Sequence, residues 1–127
     1  MHLGFTDDAI FDRIDSLSES ELDELDFGVI GFDAETIVRR YNALEARLAG
    51  LSPQRVLGQP LFTVVAPCMN NFMVALRFED AATTGDSLDE TINYVLTFRM
   101  KPVKVKLRLL AGPPGKTLRY LLVNRLQ

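Results

Sequence analysis

The segment from Thr91 to Leu109 places the tightest constraint on how this 127-residue chain can fold. Ile92, Tyr94, Leu96, Phe98 and Met100 alternate with Thr91, Asn93, Val95, Thr97 and Arg99. Val103, Val105, Leu107 and Leu109 then alternate with Lys104, Lys106 and Arg108. Successive side chains of a strand point to opposite faces, so a period of two predicts two long strands. The second is expected to keep one wet, basic face. Gly112-Pro113-Pro114-Gly115 is turn chemistry, and Leu118–Leu126 reads as a final strand.

Upstream, Phe27–Phe32 is a compact apolar run, Asp33–Thr36 a turn, and Ile37–Tyr41 a returning strand. Asn42–Leu48 reads as a helix stopped by Gly50. A short helical piece is expected at Gln54–Val56 and a longer one around Phe72–Asp80. Before Phe27, Ile10, Phe11, Ile14 and Leu17 recur at helical spacing after Asp7-Asp8, read as the cap. Ser18-Glu19-Ser20-Glu21 has the S-x-x-E form of a capping box, with its helix running to about Leu25. Two strands, several short helices and three long strands predict an α+β fold. It would be a five-stranded antiparallel sheet flanked by short helices, with a ligand space between sheet and helical cover. We read one domain over 1–127, an N-terminal helical cap over 1–26 and the core over 27–127.

Composition narrows the function. A net charge of −3 lacks the basic footprint of nucleic-acid binding. No apolar run reaches the ~20 residues of a membrane span, and the first residues do not form a signal peptide. One cysteine forms no internal disulfide, so a cytoplasmic protein is expected. The single histidine, His2, cannot join Cys68 in a zinc cluster and is poorly placed as a catalytic base, which removes much of enzymology. "GPPGKT" is not a phosphate loop, because that motif needs glycine where Leu110 stands.

Three side chains remain. Cys68 is either a small buried hydrophobe, the commoner role of a lone cysteine, or an attachment point. Tyr41 and Glu45 are four apart; were Tyr41 to begin the helix, both would share a face. Glu45, among Ala43, Leu44, Leu48 and Ala49, either faces inward or lies exposed and pairs with Arg47 or Arg40. Periodicity favours the exposed form, since most glutamates are exposed. Facing inward without a cation, its carboxyl would stay protonated and act as a donor.

In these residues the chain resembles the photoactive yellow protein family of PAS-fold light receptors. "FGVI", "YNALE", "SPQRVLG" and "LFTVVAPC" follow in order, and the likeness continues through "YVLTFRMKPVKVKL". The resemblance implies a blue-light photoreceptor with 4-hydroxycinnamic acid (p-coumaric acid) held as a thioester on Cys68. It implies that Tyr41 and protonated Glu45 hydrogen-bond the phenolate, and that the Cys68 amide holds the thioester carbonyl. Phe62, Val65, Ala66, Pro67 and Leu96 would line the pocket, and Met100 would assist return from cis to trans. Trans–cis isomerisation and proton transfer from Glu45 would drive partial unfolding of the cap as the signal. A monomer or weak dimer and a separate downstream signalling protein are expected. Three positions depart from the family: Ala49 for a threonine, Leu51 for an arginine and Phe98 for a tyrosine. They imply altered colour and recovery rate, and leave a second reading: a PAS module that senses no light and binds another small ligand or a protein.

Overall fold

The computed structural model describes residues 3–97, 102–112 and 116–125. Helices α1 (Ile10–Ile14) and α2 (Glu19–Asp23) precede strands β1 (Gly28–Phe32) and β2 (Val38–Tyr41). Helices α3 (Ala43–Ala49), α4 (Pro53–Val56) and α5 (Ala75–Thr84) follow, then β3 (Leu88–Leu96), β4 (Val103–Ala111) and β5 (Arg119–Arg125). The strands form one five-stranded antiparallel sheet, as expected, in the order β2-β1-β5-β4-β3. A π-turn over Leu61–Val65 and a 3-10 turn over Pro67–Met69 link α4 to α5.

The sheet is a middle layer with a core on each face. Leu107, Leu109, Leu121 and Val123 point to the face covered by α4, α5 and the intervening turns, among Val56, Leu61, Met69 and Phe78. Leu110, Tyr120 and Leu122 point the other way, into a second core with Leu3, Phe5, Ile10, Ile14, Leu22 and Phe27. β5 is therefore buried on both faces from Tyr120 to Val123, and its sequence is continuously apolar there.

Two arginines clamp the N-terminal segment onto this second face. Arg40 donates to the carbonyls of Ile14 and Leu17 and to the Tyr120 hydroxyl. Arg108 forks onto Asp89 at 2.8 Å through both Nε and Nη2, and its Nη1 donates to the carbonyls of Phe5 and Asp7. The wet basic face expected on β4 is thus confined to Lys104 and Lys106. Arg108 is buried because the N-terminal segment lies over it, and it neutralises carbonyls that this burial would otherwise leave unpaired.

Other boundaries move for identifiable reasons. The Ser18 capping box forms as expected, with Glu21 accepting from the Ser18 amide. Neither Asp7 nor Asp8 caps α1 with its side chain: the N-cap is Ala9, and the Asp7 carboxylate accepts from the Ala9 amide. The helix expected near Phe72–Asp80 starts at Ala75, because the Asn71 side chain accepts from the Met73 and Val74 amides and holds that stretch as a turn. It continues to Thr84 and ends at Gly85, φ 75°. Phe98, Met100, Pro113 to Gly115 and Leu126 lie outside the described residues.

Asn42 joins the layers. Its Oδ1 caps α3 by accepting from the Glu45 amide and also accepts from the Val29 amide of β1. Its Nδ2 donates to the carbonyls of Leu22 and Phe27. All four partners lose a bond in Asn42→Ala. Loss of a cap costs about 1 kcal/mol, and each stranded buried group about 1–3 kcal/mol. The variant is expected to lose about 3 kcal/mol of unfolding free energy, measured as a lower urea midpoint at unchanged slope.

Candidate functional site

Helix α3 is capped by Asn42 at its start and by Gly50 at its end, whose φ of 76° suits a residue without a side chain. Tyr41 is consequently the last residue of β2, not the first of the helix. The 3.6-residue period puts Glu45 and Ala49 on the buried face and Arg47 in solvent. Glu45 is 0 % exposed, so the exposed pairing with Arg47 or Arg40 is overturned. Arg40 is engaged with the N-terminal segment instead.

The Glu45 carboxylate has a cation, which inward burial alone did not lead us to expect. Arg125 of β5 forks onto it, Nη1 to Oε1 at 2.7 Å and Nη2 to Oε2 at 3.2 Å. Burial pushes the Glu45 carboxyl above its ordinary value, and the guanidinium opposes that rise. Tyr41 is 5 % exposed, and burial together with the Glu45 charge pushes its phenol well above the usual tyrosine range. Its hydroxyl has no hydrogen-bond partner among the described residues. Arg125 lay in the sequence as a readable signal: it is in phase with Leu121 and Val123, and so shares their helix-covered face.

Room for the carboxylate comes from Gly28. A Cβ at this position would stand 2.1 Å from Oε1 of Glu45. Gly28→Ala is therefore expected to displace Glu45 and cost about 1–3 kcal/mol by overpacking. Most of that cost should vanish when the same substitution is made in an E45A background, a coupling that a double-mutant cycle of denaturation midpoints would read.

Cys68, half-buried, lies in the 3-10 turn behind Pro67. Its carbonyl is gripped twice, by the Tyr94 hydroxyl at 2.6 Å and by Nδ2 of Asn71 at 3.2 Å. A cavity of about 400 Å³ opens here, lined by Ala49, Gly50, Leu51, Val64, Val65, Pro67, Cys68 and Thr97. That volume suits a small molecule. Glu45 lies one turn from Ala49 on the same helix face, about 6 Å along the axis. A larger groove of about 580 Å³ lies beyond, against Asn71, Met73, Tyr94, Val95 and Lys104, and the thiol does not line it.

Five expected site residues, Ala49, Leu51, Val65, Pro67 and Cys68, therefore meet in one cavity. Phe62 packs edge-on to Phe32, 5.8 Å between ring centroids, and lines a separate cavity with Phe32 and Phe78. Ala66 and Leu96 are core residues on the same side of the sheet. Phe98 and Met100 lie outside the described residues.

The PAS fold family matches residues 16–124. Photoactive yellow proteins of Rhodothalassium salexigens and Halochromatium salexigens are 34% and 35% identical over 105 residues, 83% of this chain and 83% of each relative. This chain belongs to the photoactive yellow protein family. The photoactive yellow protein domain of the sensor histidine kinase Ppr from Rhodospirillum centenum superposes with a TM-score of 0.81 at 36% identity, over 89% of this chain and 97% of that domain. A PAS domain of the Cronobacter turicensis RpfR quorum-sensing receptor, at 17% identity and TM-score 0.62, shares the fold. Within this photoactive yellow protein homologue, no described helix is long and apolar enough to cross a membrane.

The double grip on the Cys68 carbonyl restrains the thiol. Tyr94→Phe removes the shorter bond and is expected to speed labelling of Cys68 by a small maleimide several-fold. An unchanged rate would show that the turn is held by Asn71 alone.

Proposed function

We propose that the protein is a blue-light receptor that carries 4-hydroxycinnamic acid as a thioester on Cys68, and that it senses without catalytic turnover. One observation carries this reading: the half-buried thiol of Cys68 opens on a cavity walled by Ala49, and the wholly buried acid of Glu45 lies one turn before Ala49 on the same face of α3, with Tyr41 buried beside it. The names of the two relatives and of the Ppr domain support it.

The residues present suit the group. Ala49, Leu51, Val64 and Val65 offer apolar walls for an aromatic ring, and Tyr41 and Glu45, which do not line the cavity, would meet its hydroxyl only beyond Ala49. When bound, the group supplies a conjugated double bond that light isomerises from trans to cis. Tyr41 would hold the ring oxygen by donating to it, and Glu45 would share one proton with the same oxygen. Burial excludes water from that pair, so a change in the charge on Glu45 is not screened and costs several kcal/mol if uncompensated.

Such a change has a short route outward. Asn42 accepts from the Glu45 amide and donates to the Leu22 carbonyl, so the N-terminal helices are two hydrogen bonds from the backbone of Glu45. These helices are five residues each and are held chiefly through Arg40, Arg108 and one core cluster. They are the layer that loosens at least cost, and their release is the signal that a separate protein reads.

The test is chemical. The anhydride of 4-hydroxycinnamic acid is mixed with purified protein; Sγ of Cys68 displaces one carboxylate, forming the thioester and releasing one equivalent of free acid. The expected product has the mass of one added acyl group, a new absorption band, and a band that bleaches under blue light and recovers. Cys68→Ala should abolish all three. An unmodified, colourless protein would overturn the reading and favour a PAS module that holds a different small ligand in the apolar cavity.

A further inference from the structure

Between α5 and the turn that joins β1 to β2 lies a cavity of about 470 Å³, apart from the one on which Cys68 opens. Its floor is aromatic. Phe32 packs edge-on to Phe78, 4.9 Å between centroids, and edge-on to Phe62 at 5.8 Å. Space above these rings exists because the surrounding positions are small: Ala34 of the turn, and Ala75 and Ala82 of α5. Ala75, Phe78, Glu79 and Ala82 recur at helical spacing, so one face of α5 forms a wall.

Two opposite charges border this apolar floor without neutralising each other. Arg119 begins β5 opposite Phe32, in phase with Leu121 and Val123, and so shares their helix-covered face. It is half-buried and has no ion-pair partner among the described residues. Glu79 lines the α5 side and likewise pairs with no cation among the described residues. Neighbouring charges are spent: Arg39 is bound to Asp33 at 2.8 Å, and Arg77 to Glu90. The rim adds a strained residue. Thr36 holds φ at 63°, a left-handed conformation that costs a β-branched side chain energy. Its amide donates to the Asp33 carbonyl and its own carbonyl accepts from the Leu61 amide, which fixes the turn with Thr36 at the cavity edge.

We propose that this cavity binds a free α-amino acid with an apolar side chain. The Arg119 guanidinium, which presents parallel N–H donors, takes the carboxylate. Glu79 takes the ammonium, and the side chain lies over the three rings. The volume is in the range of small-molecule sites. A plain carboxylic acid would leave Glu79 unpaired beside a like charge, and a plain amine would do the same to Arg119. The site uses neither Cys68 nor Glu45, so it stands whether or not a chromophore is attached.

Calorimetric titration of the full, unacylated chain tests this. L-phenylalanine is compared with 3-phenylpropionate and 2-phenylethylamine, and L-leucine with 4-methylpentanoate and 3-methylbutylamine. Saturable one-to-one binding of at least one amino acid is expected, with each of its analogues roughly tenfold weaker or worse. R119Q and E79Q should each weaken that amino acid by a similar factor. Ala82→Leu, which fills the space from an exposed helix position, should abolish binding at an unchanged thermal midpoint. No saturable heat from either amino acid at about 10 mM would overturn the proposal. An analogue that binds as well as its amino acid, or E79Q at full strength, would overturn recognition of both charges. Undiminished binding to A82L would overturn the assignment to this cavity. Should a variant lose its fold, the analogue series on the wild type still decides.

Discussion

A carboxyl group with no exposed surface can persist in a folded protein only if something replaces the water it has lost. In this chain the replacement is assembled from four places. The glycine of β1 leaves a hollow for Oε1, the Asn42 cap fixes the helix that carries the acid, Tyr41 closes the side, and Arg125 supplies charge. The central strands β1 and β5 lie side by side, with Gly28 opposite Val123 and Arg125 two residues further on. That adjacency brings the cation within reach of α3. The arrangement of the sheet and the chemistry of the acid are thus one problem with one solution.

Much of the fold was legible in the sequence, because it follows from periodicity. Alternation in β3 and β4, the Gly50 stop of α3 and the Ser18 capping box each have a local cause that the structure reproduces. Where reading failed, the deciding contact was long-range. Arg108 looks like the third member of a solvated stripe until the N-terminal segment covers it, with Phe5 and Asp7 more than a hundred residues away. Asn71 delays α5 by a side-chain bond to the backbone, a competition that composition does not reveal.

The candidate site divides along the same line. Cys68 and Glu45 stood out as a lone thiol and an acid in apolar company, and family likeness added the cavity residues. The exposed alternative for Glu45 was the better guess from helix periodicity alone, and burial reversed it. Arg125 escaped notice because a residue eighty positions from its partner carries no local mark; only the parity of the final strand points inward. The Tyr94 and Asn71 grip on the Cys68 carbonyl is hidden for the same reason.

The sheet order has a temporal meaning as well. With β5 inserted between β1 and β4, a chain emerging from the ribosome has made Gly28, Tyr41 and Glu45 long before the strand that completes their surroundings. Until that strand arrives the acid has no guanidinium and the sheet is split into two halves, β2-β1 and β4-β3. Insertion of β5, the last of these five strands to be made, therefore closes the sheet and brings the guanidinium to the acid in one step, so that a chain lacking Arg119–Arg125 would lose both.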